Sequence, residues 1–280
     1  PALLLADESW SIPILSALVG AIAKTPEPVV RGRMITCLAG QFRRYPEWSG
    51  AWLGPDPLAA GFPRKTEPWT AEGMAVVMRG LSAGIKDADA SVRYQAILGL
   101  QSVGAPAAGL IRGAFAAEPD SDNQAALADA LGALNDATST RLLLPVVVDP
   151  KRDEAVRSSA LDSLNRLRGR DVVRARLTVL YDEKAPDALV ARALPALARD
   201  GFLPPNDLAG FLENKSPLVR AAAIMSLNPS RPLPPEVREV VLALLDDPDP
   251  DVRRAALLAA GPLRLQEAVP KLIEKAGDGQ

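Results

Sequence analysis

A nine-residue phrase that returns along the chain constrains its fold more than any other feature. It reads Val-Arg-x-x-Ala-x-x-x-Leu, and its full or degenerate copies begin at Val30, Val92, Asn123, Val156, Leu189, Val219 and Val252. The successive spacings are 62, 31, 33, 33, 30 and 33 residues. A period of this size, with apolar residues at helical intervals, is typical of a stacked array of helical pairs. In such an array each unit packs only against its neighbours.

Each repeat predicts a first helix, a turn rich in Asp and Pro, and a second helix that begins with the Val-Arg pair. In the turn Asp246–Asp251, proline ends the first helix and aspartate supplies the N-cap of the second. The Val is expected to face the preceding helix, and the Ala four residues later allows the two backbones to approach closely. The predicted pairs are 10–24/27–42, 72–86/90–103, 106–117/121–134, 139–148/153–167, 171–181/186–199, 205–214/216–227 and 235–246/250–260.

We therefore predict an all-α, right-handed α-solenoid of about seven helical hairpins, whose second helices line a concave face. A final helix near 265–276 is expected to close the array, with Glu267, Lys271, Glu274 and Lys275 facing water. Residues 1–280 are predicted to form one domain. Because the chain opens at Pro1 without an initiator Met, we expect it to be part of a larger multidomain protein.

Composition argues against several classes of function. The net charge is −2, from 32 basic and 34 acidic residues, which argues against a nucleic-acid binder. One cysteine, Cys37, and no histidine argue against zinc, haem and the usual histidine-based catalysis. No phosphate-binding loop and no long apolar run for a membrane span are found in the sequence. We therefore predict no cofactor, no metal, no membrane contact and no catalysis in this segment.

The repeated phrase resembles that of HEAT repeats, especially the short bacterial type related to the phycobilin-lyase repeats. The resemblance covers nearly the whole chain outside one insert. It implies that the arginine of the phrase pairs with an aspartate in a neighbouring turn, forming an Arg ladder of Arg31, Arg93, Arg157, Arg220 and Arg253. A guanidinium group suits that role because it can bind a carboxylate with two parallel hydrogen bonds. The alternative is a stripe of arginines that binds an acidic ligand.

The helical pattern stops in an insert at residues 43–71, between the first and second repeats. The insert holds three of the four tryptophans, five prolines and three glycines, which excludes a continuous helix. Its tryptophans either pack it against the first two hairpins, or its aromatic and basic residues form a recognition surface. The candidate partner-binding residues are Tyr45, Trp48, Trp52, Phe62, Arg64, Lys65 and Trp69.

The insert resembles that of HEAT regions in large secreted proteins of planctomycetes and their relatives. The matching positions are Trp48, Gly50, Trp52, Gly54, Pro57, Gly61, Pro63 and Trp69, with departures at Leu53 and in the order Gly61-Phe62-Pro63. This resemblance implies a parent protein with a dehydrogenase-like β-propeller and a c-type cytochrome, located in the periplasm or secreted. The haem-binding Cys-x-x-Cys-His motif is absent from these 280 residues, so this segment would serve that parent as a spacer and docking scaffold.

The densest basic run is either a phosphate-binding groove or a solvated, paired surface. It comprises Arg166, Arg168, Arg170, Arg174 and Arg176, and Asp162, Asp171 and Asp182 close by in sequence favour the paired surface. The sequence as a whole favours a non-catalytic scaffold that binds a protein partner or neighbouring domains of the same chain. The alternatives are a HEAT-type nucleic-acid binder such as a DNA glycosylase, and a lyase for a bilin-type cofactor.

Overall fold

The computed structural model describes residues 12–40, 70–167, 169–271 and 273, and the backbone of 43–44 and 67–68. Within that part of the chain, helices dominate and follow one another as successive pairs, as predicted. The helices are α1 (Ile12–Lys24), α2 (Pro28–Gly40), α3 (Ala71–Gly84), α4 (Ala90–Val103), α5 (Ala108–Ala117), α6 (Ser121–Ala133), α7 (Thr140–Val148), α8 (Glu154–Arg166), α9 (Arg170–Leu180), α10 (Asp187–Arg199), α11 (Pro205–Leu212), α12 (Pro217–Met225), α13 (Pro235–Ala243) and α14 (Pro250–Ala260).

Aspartates in the turns begin four of the second helices. Asp89, Asp120, Asp153 and Asp249 each accept hydrogen bonds from backbone N–H groups of the first turn that follows. These bonds satisfy donors that have no partner inside the helix. Several predicted helix ends are instead short 3₁₀ segments, at Ala105–Ala107, Ala137–Ser139 and Leu244–Asp246.

The predicted C-terminal helix begins as a 3₁₀ turn at Gln266–Ala268. Residues 269–271 and 273 are helical, while Glu274 and Lys275 lie outside the described residues. Lys271 pairs with Asp246, and Val269 and Ile273 are exposed.

Two compact units make up the chain, residues 1–136 and 137–280. In the first unit, α2 packs on α4 and α4 on α6, while α1 packs on α3. In the second, α8, α10, α12 and α14 pack in that order. The fold class is thus the all-α solenoid, although the prediction of a single domain stays a prediction.

The positions of the repeated phrase form the core of both units. Its Val and Ala positions are at most 1% exposed at Val92, Val156, Val219, Val252, Ala96, Ala160, Ala223 and Ala256. The exception is Val30, which is 41% exposed. The expectation that the Val faces the preceding helix is therefore wrong for the first repeat. Among the described residues, no helix is both long enough and apolar enough to cross a bilayer.

Candidate interaction surfaces

A short antiparallel pair of strands joins the two ends of the insert. β1 (Arg43–Arg44) pairs with β2 (Glu67–Pro68), with Arg43 opposite Pro68 and Arg44 opposite Glu67. The chain therefore leaves the helical array and returns to it at the same place. The candidate partner-binding residues Tyr45, Trp48, Trp52, Phe62, Arg64, Lys65 and Trp69 lie outside the described residues.

The helices on either side of the insert pack closely through glycine. A Cβ atom added at Gly99 of α4 would lie 2.7 Å from Cβ of Ala39 in α2. One added at Gly80 of α3 would lie 2.2 Å from Cδ2 of Leu38. The Cβ of Ala39 cannot rotate away, so glycine at position 99 permits the close approach of α2 and α4, while at Gly80 the end of the Leu38 side chain would have to shift. The first and second repeats are consequently direct neighbours, although a long insert separates them in sequence.

Arg31 connects these two repeats through its whole guanidinium group. Its Nε and Nη2 donate to the two carboxylate oxygens of Asp87 at 2.8 and 2.7 Å. Its Nη1 donates to the carbonyl oxygens of Thr25 and Pro26, at 3.1 and 2.6 Å. Arg31 therefore fixes the turn of its own repeat and binds the turn of the next repeat at once.

Arg93 and Arg220 repeat this arrangement. Nε and Nη2 of Arg220 donate to Asp247 at 2.8 and 2.7 Å, and Nη1 donates to the carbonyls of Asn214 and Lys215. Arg93 donates to Glu118 in the same way, and its Nη1 binds two carbonyls in its own turn. The acidic residue in each case lies two positions before the N-cap and also accepts the backbone N–H of the N-cap residue.

The two other predicted ladder residues have different surroundings. Arg157 is buried, and its Nε donates to the carbonyl of Val147 at 3.0 Å. Arg253 donates through Nη1 to the carbonyls of Asp247 and Pro248, both at 2.9 Å. The structure thus places three of the five arginines against a carboxylate of the following turn.

These ion pairs shift the acid–base properties of their members. The hydrogen bond from Arg31 lowers the pKa of Asp87, and partial burial opposes it. Burial alone would raise the pKa of Asp247. Hydrogen bonds from Arg220 and from the backbone N–H of Asp249 outweigh burial, and together with the charges of Arg220 and Arg253 they lower this pKa overall. The hydrogen bond to Glu118 likewise raises the pKa of Arg93. The shifts favour the charged forms of Asp87, Asp247 and Arg93.

A second set of paired arginines lies on first helices, and only one of its members, Arg176, belongs to the basic run named from the sequence. Arg112 of α5 pairs with Asp136, Arg176 of α9 with Asp200 at 2.6 Å, and Arg238 of α13 with Glu267 at 3.4 Å. Each acid follows the second helix of the same repeat. The recurring separation of 24 residues, from Arg112 to Asp136 and from Arg176 to Asp200, is the signal that would have revealed the set.

The sequence predicts that the basic run is a solvated, paired surface. The structure shows this prediction to be wrong for Arg176, which is paired but buried. This side chain is 1% exposed and donates to Asn165, Asp200 and the carbonyl of Leu164. Burial lowers its pKa from the ordinary value, and Asp200 opposes that shift. Arg166, Arg170 and Arg174 are exposed, whereas Arg168 lies outside the described residues. Because Arg176 is buried and paired while Arg166, Arg170 and Arg174 are exposed, the described members of the run do not form a single phosphate groove.

Two shallow grooves lie on the first unit. One, of about 600 Å³ between α4 and α6, is lined by Tyr94 and the carboxylates Asp120, Asp122 and Asp129. The other, of about 540 Å³ beside α5, is lined by small residues such as Gly109 and Gly113. Among the residues that the structure describes, no three His, Cys, Asp or Glu side chains gather as metal ligands would. Cys37 is half-buried in α2.

Comparison with known proteins agrees with this architecture. Residues 206–280 match the family model described as HEAT repeats. The fold is similar to that of YibA from Escherichia coli, with a TM-score of 0.52, 16% identity, and coverage of 70% of this chain and 74% of that chain. It is also similar to the CpcE–CpcF complex of phycocyanin lyase from Nostoc sp. PCC7120, with a TM-score of 0.48, 22% identity, and coverage of 74% and 82%.

At such identities the structural similarity shows the fold alone. No curated protein matches the chain in sequence. Because one fold can serve many functions, the prediction that this segment is not an enzyme stays a prediction.

Proposed function

We propose that this chain is a non-catalytic scaffold that binds a protein partner or neighbouring domains of its own polypeptide, with the insert as its recognition surface. One observation carries the proposal: the insert leaves and returns at the paired strands Arg43–Arg44 and Glu67–Pro68, between repeats that are already in direct contact. The array below does not need the insert to fill the junction. We therefore assign its aromatic and basic residues to recognition.

The composition of the insert fits protein recognition. Tyr45, Trp52, Phe62, Arg64 and Lys65 provide large apolar area together with positive charge. Tryptophan, tyrosine and arginine are the residues on which binding energy concentrates at protein interfaces. The two positive charges favour a partner with acidic groups around an apolar site. On the second-helix side of the first unit, the groove with Tyr94 provides a further contact surface.

The resemblance of the insert suggests where this scaffold acts. We propose that the parent polypeptide carries a dehydrogenase-like propeller and a c-type cytochrome, and that this segment holds such domains in place outside the cytoplasm. A gene whose product has neither module beside these 280 residues would contradict this part of the proposal, but not the scaffold itself.

Point variants test the recognition surface directly. The chain is mixed with the separately expressed neighbouring segments of its parent polypeptide, and co-elution is followed by size-exclusion chromatography. We expect the double variants Trp52→Ser/Phe62→Ser and Arg64→Gln/Lys65→Gln to lose co-elution.

A matched control is Phe202→Ser with Tyr181→Ser, because both of these aromatic side chains are more than half exposed and lie far from the insert in sequence. This control should bind normally. Equal loss of binding in the control and in the insert variants would refute the proposal, as would co-elution that survives both insert variants. Circular dichroism of each variant separates loss of binding from loss of fold.

A further inference from the structure

Arg253 occupies the ladder position of the last described helical pair, and among the described residues half of its guanidinium group has no acceptor. Its Nη1 binds the carbonyls of Asp247 and Pro248, the two positions that lie six and five residues earlier. Arg31, Arg93 and Arg220 make the same two bonds and use Nε and Nη2 to bind the carboxylate of the next turn. For Arg253, no described residue accepts from Nε or Nη2.

The apolar residue four positions after Arg253 also differs from its counterparts in the other repeats. Four residues after each ladder position lies an apolar side chain that is at most 1% exposed in five other second helices: Ile35, Ile97, Leu161, Leu194 and Ile224. Its counterpart in α14 is Leu257, which is only partly buried. Each of the five lies in a helix against which the next second helix packs. Within the described part of the chain, Arg253 and Leu257 of α14 thus both lack the contacts that the next second helix provides in the other repeats.

We infer that the exposed side of α14 binds a helix of a partner polypeptide, preceded by a turn with a carboxylate two residues before the helix N-cap. The carboxylate would accept two hydrogen bonds from Nε and Nη2 of Arg253, as Asp247 does from Arg220. The apolar face of the helix would cover Leu257. The inference names a partner class for the scaffold proposed above, but it uses no residue of the insert.

A second copy of the chain fits less well as the occupant. It would present its first turn, where Thr25 stands two residues before Glu27 at the start of α2 and brings no carboxylate. The acids at the equivalent position of its other turns, Asp87, Glu118 and Asp247, already bind arginines. Asp278 follows Arg253 by the same 25 residues that separate Glu118 from Arg93, and it lies outside the described residues. Its occupation of Arg253 is therefore one outcome of the test.

The test uses the full 280-residue chain and a fluorescein-labelled peptide that copies residues 244–261, the acidic turn and α14. Fluorescence anisotropy should show saturable binding. Arg253→Gln in the chain, or Asp247→Asn in the peptide, should weaken it roughly tenfold or more because a charged hydrogen-bonded pair is lost. Leu257→Asn should weaken it to a similar extent.

Arg254→Gln is the matched control, since it removes the same charge from an arginine that is 73% exposed and pairs only within α14. It should change the affinity by less than about twofold, as an exposed pair contributes little. Absence of saturable binding, or equal weakening by Arg253→Gln and Arg254→Gln, would overturn the inference.

Two further outcomes would also contradict it. Binding that appears only in Asp278→Asn would show that the chain's own terminal carboxylate occupies Arg253. Dimerisation of the chain alone that Arg253→Gln abolishes would identify a second copy as the occupant. Failure of this test would leave the insert proposal intact, because the insert variants do not alter α14.

Discussion

The first and last inter-repeat ion pairs have the same geometry but very different connections. Arg220 and Asp247 are 27 residues apart, whereas Arg31 and Asp87 are 56 residues apart with the insert between them. Both arginines nevertheless donate at 2.8 Å from Nε and 2.7 Å from Nη2, and both bind two carbonyls of their own turn. The contact between repeats is therefore set by the residues at the interface and not by the length of the chain that connects them.

This comparison also shows where a repeat array accepts extra sequence. The insert lies between the end of a second helix and the start of the next first helix, and a pair of two-residue strands joins its ends. At that position it interrupts neither the α2–α4 packing nor the ion pair. Long loops cost little conformational entropy beyond that of short ones, so the array tolerates the addition.

Overpacking the contact between the first two repeats should have the largest effect on stability. Gly99→Ala places a Cβ 2.7 Å from that of Ala39, and we expect it to lower the free energy of unfolding by about 2 kcal/mol. The control is Gly113→Ala in α5, where nothing lies within 4 Å, and a gain of roughly 0.5–1 kcal/mol is expected from helix propensity. Urea denaturation measures both. Equal effects of the two substitutions would mean that the first two repeats are not in close contact.

Replacing Arg31 or Arg220 should have the next largest effect, and the two substitutions should lower the Tm by the same amount. Arg220→Gln leaves Asp247 and two carbonyls short of donors, which should lower the Tm by roughly 3–6 °C. We expect Arg31→Gln to lower it by the same amount within error, since its contacts are the same. Differential scanning calorimetry compares them. A clearly smaller loss for Arg31→Gln would show that the insert weakens the junction.

Acidification should remove a smaller part of this stability from both junctions. The folded-state pKa of Asp87 and of Asp247 lies below the unfolded value. Their contribution is therefore complete above the unfolded pKa, about 4, and is lost as the pH falls through the folded pKa. The variants Asp87→Asn and Asp247→Asn remove the charge but keep a side-chain oxygen that accepts the backbone N–H of the N-cap residue. Asn214 accepts the N–H of Ser216 in this way. The difference in Tm between each variant and the parent chain should become smaller below about pH 4. A difference that grows there would mean that folding raises the pKa of these aspartates instead of lowering it.

The fold was predictable from sequence because its determinants are local and repeated. Val92, Ala96 and Leu100 are fully buried at the positions that helical periodicity assigns to the core. Aspartates such as Asp89 begin second helices because a carboxylate suits the N-cap. The successive helical pairs and the match to HEAT repeats confirm the solenoid class.

The contacts that the sequence did not reveal depend on packing across repeats. Arg176 looks like part of an exposed basic run, yet α10 and the following turn enclose it and Asp200 neutralises it. The strands Arg43–Arg44 and Glu67–Pro68 are too short to show any alternation of polar and apolar residues. The difference between Arg253, whose Nε and Nη2 have no acceptor among the described residues, and Arg31, Arg93 and Arg220 depends on contacts between repeats that the sequence pattern does not show.

Excising the insert tests most directly whether the first two repeats pack against each other without it. Residues 45–66 are replaced by a two-residue Asn-Gly turn, which suits a hairpin between β1 and β2, and thermal unfolding is measured with and without Arg31→Gln. We expect the Tm to change by less than about 2 °C, and Arg31→Gln to cost the same in both backgrounds, as independent contributions do. A large loss of Tm on excision, or an Arg31→Gln effect that vanishes with the insert, would contradict the account.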